Sequence, residues 1–255
     1  MIQKYYKYRF LFSELVKRDF ILKYKRTVLG MFWSVLSPLL MLSIQIMVFT
    51  TFFGSDIPHY TIFLFSGNLV YTYFSEATQS GLVALASNAS IFSKVNVPKY
   101  MFVFSRNISS LINFALTFVV FLLFVFFDGL PFTPNFLLLF YVIFCMLLFN
   151  CGMSLVLSAA YMFFRDLSYL YNILVLILMY ISAIFYSVES FTPWVQRLFL
   201  CNPLYVYIKY FRLIVIEAEV PSVQYHLLML FYGVFTLLIG YGLYKKLNHK
   251  FLYYI

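Results

Sequence analysis

The chain has little charge, cysteine or histidine for its length. Of its 255 residues only 11% are charged, nine are acidic, three are His and three are Cys. Cys145 and Cys151 lie inside an apolar run and Cys201 stands alone, so no structural disulfide is predicted. The histidines lie in different loops and ends, and no His, Cys, Asp or Glu cluster has the spacing of metal ligands. These shortages exclude a disulfide-stapled domain and a metal centre.

The chain also lacks the motifs of nucleotide-dependent and hydrolytic enzymes. It has no G-x-x-x-x-G-K-[ST] segment, so it cannot hold ATP in a P-loop. No Ser, Cys or Asp stands in a nucleophile motif, and no catalytic residue is predicted. In contrast, 64% of the residues are apolar, where a soluble domain has about 45–50%. The composition therefore predicts an all-α integral membrane protein that is not an enzyme.

Six apolar runs are long enough to cross a bilayer, which takes about 20 helical residues. They are about Val28–Phe53, Tyr60–Leu85, Phe102–Phe127, Phe136–Met162, Leu167–Tyr186 and Tyr225–Tyr244. Threading them through a membrane leaves all but three of the 18 Lys and Arg on one side. Because Lys and Arg concentrate on the cytoplasmic side, both termini are expected inside. The net charge of +9 then reflects this bias and the attraction to anionic lipids, and no nucleic acid partner is expected.

The chain is predicted to form one permease domain with a basic segment at each end. Residues 1–27 are expected to form a cytoplasmic interfacial helix, 28–244 the six-span bundle and 245–255 a cytoplasmic tail. Within the first segment an imperfect, mostly apolar helical stripe opposes a basic face, which is typical of a helix lying in the interface. The members of the stripe are Phe12, Leu15, Val16, Asp19, Phe20 and Leu22. The alternative is a basic tail that only sets the topology.

Two loops differ from plain turns. The inner loop from Asn88 to Tyr100 predicts a short helix over Ala89–Lys94, followed by an extended exit before Pro98. The outer segment contains Trp194–Leu200 and Leu204–Ile216, each too short to span, and Asn202-Pro203 between them predicts a helix start. Two short re-entrant helices before the last span fit this segment, since irregular backbone at membrane depth must be buried in protein. Two helices lying flat in the outer interface are the alternative.

No feature of the sequence supplies energy for transport. Glu76 is the acid inside a predicted span, about 24 Å from the outer end, where a snorkelling or salt-bridged structural role is favoured over a proton site. A path for a bulky solute would require a second copy of a six-helix bundle. The small residues Gly152, Ser154 and Ser158 suit close helix association, either between copies or within one chain.

Several stretches together resemble the polysaccharide ABC exporter permeases, the family of the O-antigen and teichoic-acid exporters. The order and spacing cover nearly the whole chain, with one departure, since Ser182-Ala183 replaces the usual Ser-Pro. The stretches are Arg18-Asp19-Phe20 with residues 23–30, 32–34 and 37–39; Lys94-Val95-Asn96-Val97-Pro98; Phe163-Phe164-Arg165-Asp166; and Phe185-Tyr186 with Asn202-Pro203-Leu204.

The resemblance implies a homodimer that works with two copies of a separate cytoplasmic ABC ATPase. The chain would hold no cofactor, because ATP and Mg would be bound by that partner. The N-terminal helix and the inner loop would contact the ATPase, while Arg165 and Asp166 would form a cytoplasmic gate or, alternatively, an ordinary loop. The implied coupling residues are Ser90, Ile91, Phe92, Ser93, Lys94, Val97 and Pro98.

Aromatic residues make up 23% of the chain, and a sugar polymer packs its CH faces on aromatic rings. Weak and repeated contacts of this kind permit release. The candidates for the channel, against the alternative of lipid-facing or core positions, are Phe32, Trp33, Phe49, Tyr180, Phe185 and Tyr186. The basic residues that could receive a lipid diphosphate carrier, unless they only follow the positive-inside bias, are Lys23, Lys25, Arg26 and Arg106.

These expectations combine into one functional hypothesis. The chain is expected to be the membrane subunit of an ABC exporter in the bacterial inner membrane, moving lipid-linked surface polysaccharide outward. The outer pair of short helices would then cover the exit. A permease for drugs or lipids and, less favoured, an ion-coupled carrier are the alternatives.

Overall fold

The computed structural model describes residues 2–25, 27–53 and 57–253, and every regular element in these ranges is a helix. Short 3-10 turns precede α2 and α7 and follow α11. The α-helices are α1 (Ile2–Tyr24), α2 (Trp33–Phe53), α3 (Tyr60–Leu82), α4 (Ala84–Ser87), α5 (Ala89–Phe92), α6 (Tyr100–Phe127), α7 (Leu138–Phe163), α8 (Leu167–Ile181), α9 (Pro193–Phe199), α10 (Pro203–Val215) and α11 (Val223–Leu247).

The chain is an all-α, multi-pass membrane protein, as its composition predicted. Among the described residues, four helices, α2, α6, α7 and α11, are long and apolar enough to cross a bilayer, and the bent pair α9–α10 could provide a fifth crossing. Helix α3 has the length but carries Asn68, Glu76 and Gln79, and α8 has only 15 residues. The count of six spans therefore stays a prediction.

Helix α3 lies at the centre of the bundle and packs against α2, α6, α7, α8 and α10. Its aromatic side chains fill the spaces between these neighbours. The Phe65 ring meets the Phe121 ring of α6 edge-on at 5.3 Å, and the Phe74 ring stacks with Phe149 of α7 at 5.9 Å. Since lipid is as apolar as these rings, such close packing, more than exclusion of water, holds the helices together.

The small residues of α7 mediate contacts between helices of the same chain. A Cβ on Gly152 would collide with the backbone of Thr236 in α11, so glycine lets these two helices approach closely. The Ser154 hydroxyl faces α3 and donates to the carbonyl of Ala77 at 3.3 Å. The structure thus assigns Gly152 and Ser154 to packing within one chain.

The outer pair α9–α10 is bent by 105° at its break. The predicted helix start is confirmed, because Asn202 Oδ1 accepts a hydrogen bond from the Leu204 amide at 3.0 Å. Most of α10 is buried between α3, α7 and α11, whereas α9 is largely exposed. Burial on nearly all sides argues against a flat surface position for α10, and the bent pair fits either a re-entrant segment or a broken span.

The fifth apolar run does not form one helix through Tyr186. Helix α8 ends at Ile181, and residues 182–186 form a non-helical segment, named here the outer elbow. Ala183 has φ = 54°, a left-handed conformation that strains any residue with a Cβ. The prediction was wrong here because the break contains neither Gly nor Pro to reveal it.

The N-terminal helix and the inner loop follow their patterns closely. In the stripe of α1, Leu15 and Asp19 are buried, and Leu22 is the member that lies exposed. Helix α4 precedes this loop, the predicted helix Ala89–Lys94 is the shorter α5, and residues 96–98 follow it without helical structure, as predicted. Helix α1 packs on α6, so this segment belongs to the folded bundle.

Candidate functional site

The loop between α3 and α6 borders an open cleft at the predicted inner end of the bundle. The cleft has a volume of about 670 Å³ and is lined by Tyr8 of α1, residues 92–99 and Asn248. The N-terminal helix, the inner loop and the end of α11 therefore meet at one surface. A concavity of this size can receive a short segment of another protein.

The predicted coupling residues divide by their exposure. Ser90, Ser93 and Lys94 are exposed, Ile91 and Pro98 are half-buried, and Phe92 and Val97 are buried. Phe92 packs with Leu15 of α1, and its ring lies 6.0 Å from that of Phe102. Phe92 and Val97 thus shape the loop from beneath, and the exposed residues form its outer surface. The role of this loop in coupling stays a prediction.

Lys99 ties the loop to the last helix, a link that the sequence did not indicate. Its Nζ donates to the Asn248 carbonyl at the C-terminal end of α11, at 2.7 Å. The ammonium lies 5.3 Å from the ring centre of Phe92 and 5.5 Å from that of Phe251. Burial lowers the pKa of Lys99 below its usual value. A cation at a helix C-terminus is favourable, so Lys99 stabilises this junction.

The cations predicted to receive the carrier phosphate are in different environments. Lys23 Nζ lies 2.8 Å from Glu76 Oε2, and Arg106 Nε lies 3.5 Å from Asp19 Oδ2. Lys25 is exposed, and Arg26 lies outside the described residues. Two of the candidates therefore already have carboxylate partners within the chain, which weakens their assignment to a phosphate.

Glu76 has the structural role that the sequence favoured. In addition to Lys23, its carboxylate accepts a hydrogen bond from Asn113 Nδ2 at 2.6 Å. Asn113 Oδ1 in turn accepts from the Tyr24 hydroxyl at 2.7 Å. The end of α1 is thereby tied to α3 and α6.

The predicted gate residues lie on an exposed turn between α7 and α8. Arg165 and Asp166 are both exposed, and the Arg165 guanidinium lies 5.0 Å from the ring centre of Tyr161. The Asp166 carbonyl accepts from the Tyr169 amide at 3.0 Å, at the start of α8. This position suits either a gate or an ordinary turn, and the gate stays a prediction.

Four of the six predicted channel aromatics come together. The Phe49 ring stacks on Phe185 at 4.5 Å, and Tyr180 lies 5.9 Å from Phe185. The Tyr186 hydroxyl donates to the Tyr180 carbonyl at 2.9 Å. This set of Phe49, Tyr180, Phe185 and Tyr186 is named here the aromatic cluster.

The two remaining aromatics, Phe32 and Trp33, lie at the opposite end of α2 and are exposed. Within the cluster, Tyr180 is 54% exposed and Phe185 only 4%. Tyr180 thus presents the surface of the cluster, and Phe185 supports it from inside.

The outer elbow is held by Arg212 of α10, which the sequence revealed only as a charge inside an apolar segment. Its guanidinium donates to the carbonyls of Ala183 at 2.8 Å, Ile184 at 2.9 Å and Phe63 at 3.1 Å. The next carbonyl of the elbow, that of Phe185, accepts from the Tyr60 hydroxyl at 2.9 Å. These bonds fix the backbone beneath the aromatic cluster.

The ABC-2 type transporter family matches residues 11–216, a range that includes the larger part of α1, the inner loop and the outer elbow. The chain belongs to the ABC-2 type transporter family. The chain is accordingly a permease subunit, and permeases of this family generally pair with an ABC ATPase.

Relatives of this ABC-2 permease match along nearly its whole length. Two proteins of Klebsiella pneumoniae, each named O-antigen export system permease protein RfbA, are 26% identical to it. The alignments cover 98% of both chains in one case and 96% of both in the other. A Myxococcus xanthus protein of the same name is 24% identical over 88% of this chain and 87% of its own length. The resemblance to polysaccharide exporter permeases is thus confirmed.

Proposed function

We propose that the chain forms, as a homodimer, the transmembrane conduit of an ATP-driven exporter of lipid-linked surface polysaccharide. Two copies of a cytoplasmic ABC ATPase would bind ATP and Mg and drive the cycle. The protein would lie in a bacterial inner membrane with both termini in the cytoplasm. The names of its relatives support the class of cargo, since three O-antigen export permeases align with nearly the entire chain.

The observation that carries the proposal is the aromatic cluster beside α2 and α8, two helices with few buried residues. Of the 15 residues of α8, only Tyr171 and Val175 are buried, and α2 also presents large apolar side chains such as Met47. A second copy facing α2 and α8 would enclose a path with Tyr180 on its wall. Stacked rings offer sugar CH faces repeated weak contacts, which a moving polymer requires.

The inner cleft supports an ATPase as the source of force. Exposed loop residues such as Lys94 lie beside it, and the loop is tied to α11 through Lys99. A push on the loop would therefore act on helices that cross the membrane. The chain contains no P-loop of its own, so nucleotide hydrolysis must come from a partner.

The carrier phosphate would meet the exposed Lys25, together with Arg26. Lys23 and Arg106 contribute less, because Glu76 and Asp19 already neutralise them. A single exposed basic residue near the membrane surface contributes about 1 kcal/mol to the attraction of an anionic lipid. The phosphate would thus be drawn to this edge without being held tightly.

Deletion of the gene tests the proposal directly. Loss of surface glycan, with lipid-linked polymer accumulating in the cytoplasm, is the expected result, and the wild-type gene should restore export. Intact surface glycan with new drug sensitivity would instead indicate a drug or lipid permease. Uphill transport by the purified protein in vesicles without any ATPase would indicate a carrier and would contradict the proposal.

A further inference from the structure

Asp19 is a carboxylate buried between α1 and α6, with only 3% of its surface exposed. Its Oδ1 accepts hydrogen bonds from Arg18 Nη2 at 2.7 Å and Arg18 Nε at 3.1 Å. Its Oδ2 accepts from the Ser105 hydroxyl at 2.9 Å and lies 3.5 Å from Arg106 Nε. Both oxygens of the carboxylate are therefore engaged, one within α1 and the other by α6.

The network continues from Arg18 into the inner loop. Arg18 Nη2 also donates to Asn88 Oδ1 at 2.8 Å. Asn88 is buried between α4 and α5, and its Nδ2 donates to the Ala84 carbonyl at 2.8 Å. A continuous chain of polar contacts thus joins α6, α1 and the loop that borders the cleft.

Apolar contacts alone could attach α1 to the bundle, as Leu15 does by packing with Phe92. Burying a carboxylate costs free energy unless it is paired and hydrogen-bonded, and its hydrogen bonds fix the relative orientation of the elements that they join. Arg18 contacts two partners on different elements, so a displacement of the loop pulls on the same carboxylate that α6 holds.

We propose that Asp19 is a positioning residue that locks α1, the inner loop and α6 into one unit, so that a push on the inner loop reaches α6. The contacts that join these three elements, named here the lock, lie within the permease alone. The transmission of force through them rests on the proposed function, in which an ATPase pushes on the inner loop.

Hydrogen exchange of the full-length permease, assembled with its ATPase, tests the lock. Asp19→Asn should raise the exchange rate about tenfold in both residues 8–24 and 84–98, because hydrogen bonds to charged groups are lost. Glu14→Gln is the matched control, since it removes an acid from the exposed face of the same helix, and it should leave exchange unchanged. Unchanged exchange in Asp19→Asn, or an increase confined to α1, would overturn the lock.

Export measured per ATP hydrolysed tests the coupling. In Asp19→Asn this ratio should fall about tenfold while ATP hydrolysis and association with the ATPase persist, as expected for a lost coupling free energy. A wild-type ratio, or equal loss of export and hydrolysis, would contradict a positioning role.

Two further variants keep the proposal testable if Asp19→Asn folds poorly. Arg18→Gln removes the link to Asn88 and should also lower the ratio, whereas its exposed neighbour Lys17→Gln should not. Once Asp19 is Asn, adding Ser105→Ala should cause little additional loss, and additive losses would overturn the network. If the wild-type complex exports no glycan, the proposed function fails while the exchange experiment still decides the lock.

Discussion

Arg212 is a buried cation whose hydrogen-bond partners among the described residues are all uncharged. Its guanidinium meets three carbonyls and the Ser66 hydroxyl, and it lies 3.3 Å from the ring centre of Phe63. Among the described residues no carboxylate lies within ion-pair distance of it. A charged group at membrane depth is expensive, and it persists where it satisfies backbone that would otherwise be unpaired.

Replacing Arg212 should weaken the outer elbow. In Arg212→Gln the carbonyls of Ala183 and Ile184 lose their donors, and each unpaired buried group costs about 1–3 kcal/mol. We expect a lower Tm of the purified permease and reduced glycan export. Lys209→Gln is the control on the same helix, because Lys209 is half-buried and lies 4.0 Å from the exposed Glu189, a pair worth at most about 1 kcal/mol. Equal losses of stability in the two variants would contradict this role of Arg212.

Gly67 leaves space for the guanidinium of Arg212. A Cβ at Gly67 would come within 2.9 Å of Arg212 Nη2 and 3.3 Å of the Ile184 Cα. Gly67→Ala should therefore displace the arginine and destabilise the permease by about 1–3 kcal/mol, as overpacking does. Gly242→Ala in α11, where a Cβ meets nothing within 4 Å, should stabilise by up to about 1 kcal/mol through helix propensity. The Tm in detergent compares the two glycine variants. An unchanged Tm in Gly67→Ala would show that this site is not tightly packed.

Among the elements of the fold, the inner loop combines exposed residues on its outer surface with buried residues that support them from beneath. Lys94→Glu should reduce co-purification with the ATPase and leave the Tm nearly unchanged, because Lys94 is exposed. Phe92→Ala should lower stability by about 3–5 kcal/mol, because it empties a packed site beside Leu15 and Phe102. Full co-purification of Lys94→Glu would remove this residue from the docking surface.

The sequence predicted the elements that depend on local patterns. Apolar runs located the long helices, and Asn202 before Pro203 located the start of α10, since a cap acts on amides two or three residues away. The exit of the inner loop followed from Pro98 in the same way. The departure at Ser182-Ala183 marked the end of the fifth run, but the end of α8 at Ile181 was not predicted, because Arg212, which takes up the carbonyls of Ile184 and Ala183, lies 28 and 29 residues away.

The candidate site was only partly predictable for the same reason. The aromatic cluster followed from assigning aromatics of the first and fifth runs to one path. The bond of Arg18 to Asn88 joins residues 70 positions apart, and that of Ser105 to Asp19 joins residues 86 apart. Such pairs depend on how the helices pack, and a single sequence carries no signal of that packing.

The whole molecule has exposed apolar faces on α8 and α11, with which a second copy of the chain could make contact. Both α8 and α11 expose large apolar side chains, including Ile177 at 52% and Leu238 at 64%. Exposure alone therefore does not distinguish a lipid contact from a subunit contact. Ile177, however, precedes Tyr180 by three residues, so the two side chains share one face of α8. Since Tyr180 belongs to the aromatic cluster, the face of α8 is the one that should face a partner across the path.

Cysteine crosslinking in membranes distinguishes these faces. In a Cys201→Ser background, which removes the exposed native thiol, Ile177→Cys should give dimers with a bifunctional thiol crosslinker long enough to span the path, because the same residue of two copies faces itself across a two-fold axis. Leu238→Cys should remain monomeric, since the face of α11 would contact lipid. The reverse pattern would place the subunit contact on α11 and leave the aromatic cluster facing lipid. In that case stacked rings could not line a shared path, and the choice of α2 and α8 as its walls would be wrong.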